Sequence, residues 1–158
     1  MTKYGFTRAS SEVIAVRVEL ADDVVHALRR AGLPAFWDGE GSGGPEQPGA
    51  VVYVDPDAET ASASVSVGWR CDTGLVQAAV DALASGSPLD APAVRHPGMI
   101  GLHMQGALIG ILLSAGIIAT PENDRTNPDH VLVFGRMTDL PPALRPTFVP
   151  PGSRPGRA

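Results

Sequence analysis

The sequence contains one cysteine, Cys71, whose neighbours are of the kind that activate a thiol. Arg70 precedes it and a helix is expected to begin directly after it, and both a positive charge and a helix N-terminus lower the pKa of a thiol. A nucleophilic thiol also needs a positioned base, and no histidine lies near Cys71 in the sequence. We therefore expect Cys71 to lie at the end of a strand and to be packed in the core, and a thiol-dependent enzyme using Cys71 is the last of our alternatives.

The other residues capable of chemistry form no recognised motif. The four histidines, at positions 26, 96, 103 and 130, do not have the spacing of a metal site. The chain has neither a G-x-x-x-x-G-K-[ST] loop nor a G-x-G-x-x-G loop, so nucleotide binding is not indicated. We therefore predict no catalytic residue, no metal and no cofactor.

Composition limits the partners of the chain. Of its 158 residues, 44% are apolar and 18% are charged, and the formal net charge is −5. Because nucleic acids and anionic lipids are polyanions, any contact with them must be local. The first six residues lack the apolar core of a signal peptide, and a single cysteine excludes an intramolecular disulfide. We expect a cytoplasmic protein that does not bind membranes.

A long uncharged run is the most unusual feature of the sequence. No Asp, Glu, Lys or Arg occurs between Arg95 and Glu122, a stretch long enough to span a bilayer. His103 and Gln105 near its start, and Gly116 near its end, favour a buried helix of a soluble protein over a membrane span. On this interpretation the Gly106-x-x-x-Gly110 spacing serves close packing in the core.

Two periodicities overlap in the first ordered segment. Apolar residues alternate from Ile14 to Leu20, as in a half-buried strand, whereas Val18, Ala21, Val25 and Leu28 fit a helical stripe. The segment is therefore either a strand followed by a helix or one long helix. We favour the strand, because the early part is rich in β-branched residues, with a helix from Asp22 to Gly32.

Further elements follow along the chain. Residues 38–49 contain five glycines and two prolines and are expected to form a mobile loop. Residues 51–54 and 61–69 are predicted to form a hairpin. A helix capped by Asp72 or Thr73 should end at Ser85-Gly86, and after a proline-interrupted stretch the uncharged helix covers about 102–115. Residues 117–119 and 131–134 should flank a polar loop as another hairpin, and the proline-rich and arginine-rich residues from Leu140 onward are expected to be disordered.

From position 72 to 136, the expected order of helices followed by a polar-tipped hairpin resembles a winged helix-turn-helix. This segment is similar to the gamma domain of the FtsK family of DNA translocases. The residues that carry the resemblance occupy turn and core positions. They are Ile100, Gly101, Leu102, Gly106, Leu108, Ile109, Leu112, Ser114, Gly116, Ile117, Ile118, Pro121, Asp129, Val131, Leu132 and Val133.

In that family the third helix enters the major groove of DNA, so the resemblance implies a set of DNA-binding residues. They are Arg95, His96, His103 and Gln105 around the turn and third helix, and Arg125, Thr126 and Asn127 in the wing. Where the family carries basic residues, this chain has Met104 and Ala107, and Pro97-Gly98 is expected to break the second helix. Six acidic and three basic residues give residues 72–136 a net charge of −3, which opposes duplex binding.

Taken together, the sequence predicts an α+β fold with three parts. Residues 1–71 form a strand, helix and hairpin unit, residues 72–136 a winged-helix domain, and residues 137–158 a disordered tail. The leading functional hypothesis is a noncatalytic winged-helix module that binds duplex DNA. The alternative is a protein–protein adaptor or oligomerisation module, such as a homodimer, built on the same scaffold.

Overall fold

A computed structural model describes residues 7–38, 47–60, 63–122 and 125–145. The described residues form three α-helices and five strands, which confirms the predicted α+β class. The helices are α1 (Ser11–Arg30), α2 (Thr73–Ala84) and α3 (Pro92–Ser114). The strands are β1 (Ala35–Trp37), β2 (Gly49–Val54), β3 (Val65–Arg70), β4 (Ile117–Pro121) and β5 (Val131–Arg136).

The strand favoured for residues 14–20 is wrong, because this segment belongs to α1. Ser10 caps the helix by accepting a hydrogen bond from the backbone N–H of Val13 at 3.3 Å. The helical stripe decides the outcome, since burying Val24, Val25 and Leu28 against the sheet stabilises the helix more than β-branching disfavours it. Of the two conformations that the pattern allowed, the single long helix is the one observed.

All five strands belong to one sheet with the order β1-β2-β3-β5-β4. The two predicted hairpins, β2–β3 and β4–β5, are both present as antiparallel pairs. Between them, β3 pairs with β5, so that Val65 lies opposite Val133 and Val67 opposite Val131. This pairing joins residues from the expected N-terminal unit and from the expected winged-helix segment in the same sheet.

The core lies between the sheet and the helices α1 and α3. α1 packs on β1, β2 and β3, while α3 packs on β3, β4 and β5 and also contacts α1. Successive residues of a strand point to opposite faces, and Val52, Val65, Val67, Val131 and Val133 form the buried face. α2 packs mainly along α3, outside this core.

The segment that resembles a winged helix contains two helices where three were expected. Pro97-Gly98 does not interrupt the helix as expected, because α3 runs through both residues from Pro92 to Ser114. A proline inside a helix removes one backbone hydrogen bond, and here the remaining bonds and the packing on the sheet maintain the helix. The likeness to the FtsK gamma domain remains a prediction.

Several expectations concern residues outside the described ranges. The glycine-rich loop is described only at residues 38 and 47–49, and residues 39–46 lie outside. Residues 137–145 of the expected tail form two 3-10 turns, Met137–Asp139 and Pro142–Leu144. Residues 146–158 also lie outside the described part of the chain.

Candidate interaction surface

The helices α2 and α3 form a helical hairpin that begins with a side-chain cap. Asp72 accepts a hydrogen bond from the backbone N–H of Gly74 at 2.9 Å, as the sequence predicted for this N-cap. α2 ends before Gly86, whose φ of +87° is the left-handed conformation that glycine adopts readily. The chain then returns along α2 as α3, and we call this pair the α2–α3 hairpin.

The α2–α3 hairpin exposes an unusual amount of apolar surface. None of the twelve residues of α2 is buried, and only three of the 23 residues of α3 are, although both helices are fully described. Six large apolar side chains on the hairpin have exposed fractions between 37% and 52%. They are Val76, Val80, Leu83, Met99, Leu102 and Leu113. The expectation of a buried helix is therefore wrong for most of the surface of α3.

The exposed and buried residues of α3 occupy different faces. Gly101, Leu108 and Leu112 are buried towards the rest of the fold. Positions 99, 102, 106, 110 and 113 recur every three or four residues, and such residues lie on one side of a helix. All five are exposed. We call this exposed row the α3 stripe; it consists of Met99, Leu102, Gly106, Gly110 and Leu113.

The glycines of α3 differ in what surrounds them. A methyl group added at Gly101 would come within 2.5 Å of Asp129 Oδ2, so close packing inside the protein explains this glycine. A methyl group at Gly106 or Gly110 would meet no atom within 4 Å. The prediction that the Gly106-x-x-x-Gly110 spacing serves the core is therefore wrong, because both glycines face outward.

Among the described residues, α3 is the one helix long and apolar enough to cross a bilayer. Length and composition alone do not distinguish a membrane span from a core helix of a soluble protein. In this fold α3 packs on three strands of the sheet and fully buries Leu108 and Leu112 there. The chain thus has the organisation of a soluble α+β protein with one strongly apolar helix.

Three of the residues predicted to bind DNA lie exposed on α3: Arg95, His96 and His103. Arg95 is near the start of the helix, where its Nη2 lies 4.0 Å from the sulfur of Met99. In the described sequence of α3, Arg95 is the only Lys, Arg, Asp or Glu. The predicted DNA-binding side of the helix therefore carries two exposed histidines and one permanent charge beside its apolar residues.

Gln105, the fourth predicted residue on this helix, holds a loop in place. Its side-chain amide donates hydrogen bonds to the carbonyl oxygens of Pro128 at 3.1 Å and His130 at 2.7 Å. These bonds attach the end of the β4–β5 connection to α3. Because both donors of the amide are occupied, a base edge would have to displace the loop in order to pair with Gln105.

The predicted wing residues Arg125, Thr126 and Asn127 lie in the connection between β4 and β5, and all three are exposed. The carbonyl of Asn127 accepts a hydrogen bond from the backbone N–H of His130 at 3.1 Å. Residues 123 and 124 of this connection are outside the described ranges. The hairpin therefore places these three residues on the surface beside α3, and their binding of DNA remains a prediction.

Cys71 lies at the end of β3, as predicted, but it is half-buried and does not belong to the core as was expected. Its Sγ is 3.6 Å from the carbonyl oxygen of Pro97 and is placed to donate a weak hydrogen bond to it. Burial raises the pKa of the thiol, and the negative charge of Asp129 raises it further. This environment favours the neutral thiol, which is the opposite of what a nucleophilic cysteine requires.

An aromatic pair that sequence reasoning missed lies across the sheet. The rings of Tyr53 and His130 are stacked with centroids 5.8 Å apart. The His130 ring also lies against Gly68, where a β-carbon would come within 2.8 Å of its Nε2. Burial raises the pKa of Tyr53, and the negative charge of Asp38 raises it further. No sequence signal pairs residues 53 and 130, because β2 and β5 are separated by β3.

A cleft of about 880 Å³ opens between the end of α1, the α3–β4 turn and the end of β5. Its charged and titratable lining residues are Asp23, His26, Arg29, Arg30 and Arg136. Arg136 forms an ion pair with Asp23, and this hydrogen bond raises the pKa of Arg136. Arg29 and Arg30 remain without a carboxylate partner in this lining, so its side chains carry an excess of positive charge, which the partial negative charges at the C-terminal ends of α1 and α3 reduce. Arg29 itself donates a hydrogen bond to the carbonyl oxygen of Ala35 and lies over the Trp37 ring.

Within the described ranges, no group of three or more His, Cys, Asp or Glu residues is arranged to hold a metal ion. Comparison of the chain with protein-family models, curated proteins and solved structures finds no match. The exposed apolar surface of the α2–α3 hairpin is thus the feature of this fold that most requires a functional explanation.

Proposed function

We propose that this chain is a noncatalytic, cytoplasmic interaction module that binds another protein helix through the α2–α3 hairpin. The observation that carries the proposal is the exposure of six large apolar side chains on two adjacent helices. A soluble protein gains roughly 25 cal/mol for each Å² of apolar surface that it removes from water. A partner surface of the same apolar character provides that gain.

The chemistry of the hairpin favours protein over DNA as the partner. Phosphate contacts supply much of the affinity for DNA and require several Lys or Arg residues. The two helices together carry one arginine and one aspartate, Arg95 and Asp81. The side-chain amide of Gln105 already donates its hydrogen bonds to backbone carbonyl oxygens. Duplex binding remains a prediction, and the experiments must distinguish it from protein binding. Its predicted residues are Arg95, His96, His103, Arg125, Thr126 and Asn127.

Site-specific photo-crosslinking in the native host tests the proposal. A benzophenone amino acid replaces Leu102, and the matched control carries it at Val16, an exposed apolar residue of α1. We expect one identified protein adduct at position 102 and none at position 16. A second change, Val80→Glu on α2, should abolish that adduct. Equal labelling at both positions, a lipid adduct alone, or no adduct would overturn the proposal.

A duplex titration addresses the DNA hypothesis directly. Labelled duplex pools are mixed with the purified chain at low and moderate salt, with Arg95→Ala and Arg125→Ala as variants. If protein binding is the function, no duplex should shift below micromolar protein. Sub-micromolar binding that weakens steeply with salt, and further in both variants, would favour the DNA hypothesis.

A further inference from the structure

We infer that the partner of the α2–α3 hairpin is a second copy of this chain, related by a two-fold axis that passes between Gly106 and Gly110 of the α3 stripe. This inference rests on the proposed function and names its partner. The two α3 helices would cross antiparallel at the glycines. The apolar side chains on either side would pack against the other copy.

The charge distribution of the stripe supports pairing with an identical surface. In a two-fold interface the same patch lies on both copies, so each charge in it meets its own counterpart or a nearby residue. From residue 96 to residue 114, α3 contains no Asp, Glu, Lys or Arg, so the paired stripes bring no like charges together. Arg95 would face its own copy in a parallel pair, whereas the antiparallel arrangement places the two arginines at opposite ends.

The dimensions of the hairpin are sufficient for a weak dimer. With 23 residues, α3 is about 34 Å long, and a helix face is about 10 Å wide. The exposed face of α3 therefore offers roughly 340 Å² per copy, or about 700 Å² in a dimer. This total is below the roughly 1,000 Å² of a stable specific interface, so the proposed dimer is a weak and transient one.

The exposed glycines fix where the helices cross. A glycine in the middle of a helix costs about 1 kcal/mol relative to alanine. Asp129 lies close to Gly101 and accounts for that glycine, whereas nothing inside the described fold occupies the space above Gly98, Gly106 or Gly110, of which the last two are four residues apart. Small residues four apart allow two helix backbones to approach closely. A crossing at this point therefore explains both glycines.

Sedimentation equilibrium of the purified full chain is the first test. The mass should rise from 16.4 kDa towards twice that value between low and high micromolar concentration. Leu102→Glu should raise the dissociation constant about tenfold or more, because it places two carboxylates in an apolar interface. Val16→Glu, on the exposed side of α1, should leave it unchanged. A monomer at every concentration, or a dimer indifferent to Leu102→Glu, would overturn the inference.

Chemical crosslinking tests the antiparallel arrangement. In a Cys71→Ser background, Leu102→Cys and Leu113→Cys lie on opposite sides of the proposed axis at similar distances from it. A short bismaleimide should link a mixture of the two variants into a covalent dimer and should leave each variant alone largely unlinked. Efficient linking of Leu102→Cys to itself would contradict the antiparallel crossing.

The dimer and the proposed function can fail separately. If the purified chain is monomeric but position 102 crosslinks in cells to one different protein, the dimer is wrong and the interaction module stands. If the chain is monomeric and position 102 forms no protein adduct, both are wrong. A dimer that depends on Leu102, together with a cellular adduct of twice the chain mass, supports both.

Discussion

Two individual side chains, those of Arg17 and Cys71, have environments that their neighbours in the sequence do not predict. Arg17, which falls in the alternating pattern of residues 14–20, is buried in the fold. Its Nη1 donates hydrogen bonds to the carbonyl oxygens of Asp55 and Asp57, both at 2.6 Å. These bonds join α1 to the turn after β2. From the sequence alone Arg17 is expected on an exposed face, because nothing local indicates its hydrogen-bond partners, which lie 38 and 40 residues away.

Replacing Arg17 by methionine should destabilise the fold by about 2 kcal/mol, since it removes two charge-assisted hydrogen bonds but keeps an apolar stem. Urea unfolding measures the change. Arg30→Met, at the exposed end of α1, is the matched control and should change stability by about 0.5 kcal/mol. Equal effects of the two variants would show that the Arg17 contacts contribute little.

Cys71 is the second such residue, and its raised pKa has a measurable consequence. At neutral pH the native thiol should react with iodoacetamide more slowly than the same thiol in the unfolded chain, because less of it is thiolate. The midpoint of the rate against pH should lie above that of an ordinary thiol. Asp129→Asn should lower this midpoint by removing a negative charge. A native midpoint below that of the unfolded chain would revive the thiol-enzyme alternative.

At the scale of elements, local signals predicted well and non-local ones did not. The cap at Asp72 and the two hairpins follow from short-range patterns, and all are observed. Two overlapping periodicities in α1 left its conformation open, and the buried stripe decided it. The exposure of α3 was not predictable, because an apolar run indicates burial without saying what covers it. The pairing of β3 with β5 was not predictable either, because no short-range sequence pattern indicates it.

Gln105 gives a prediction at this scale, because it connects an element to a loop. Gln105→Ala removes both hydrogen bonds to the β4–β5 connection and should destabilise the fold by roughly 1 to 2 kcal/mol. Amide exchange should become faster at Asn127, Asp129 and His130. Gln105→Glu, which keeps the length but loses the donors, should behave like alanine. Unchanged exchange in both variants would show that the loop is held by other contacts.

For the whole molecule, the pairing of β3 with β5 implies that the two halves unfold together. Trp37 and Trp69 lie in the first half, whereas α2 and α3 supply much of the helical signal of the second. Fluorescence and far-ultraviolet circular dichroism should therefore report the same urea midpoint. The measurement should be made on Leu102→Glu, so that association does not complicate it. Two separated transitions would instead support independent units divided near residue 72.

The strand order also bears on how the chain emerges from the ribosome. Among the described residues β5 is the last strand to be synthesised, yet it lies between β3 and β4, so neither neighbour can complete its pairing until residue 136 has left the exit tunnel. Throughout that interval α3, which has no charged residue after Arg95, has been made but lacks one of the strands on which it packs. Nascent chains paused just before β5 should accordingly be bound by chaperones that recognise apolar segments.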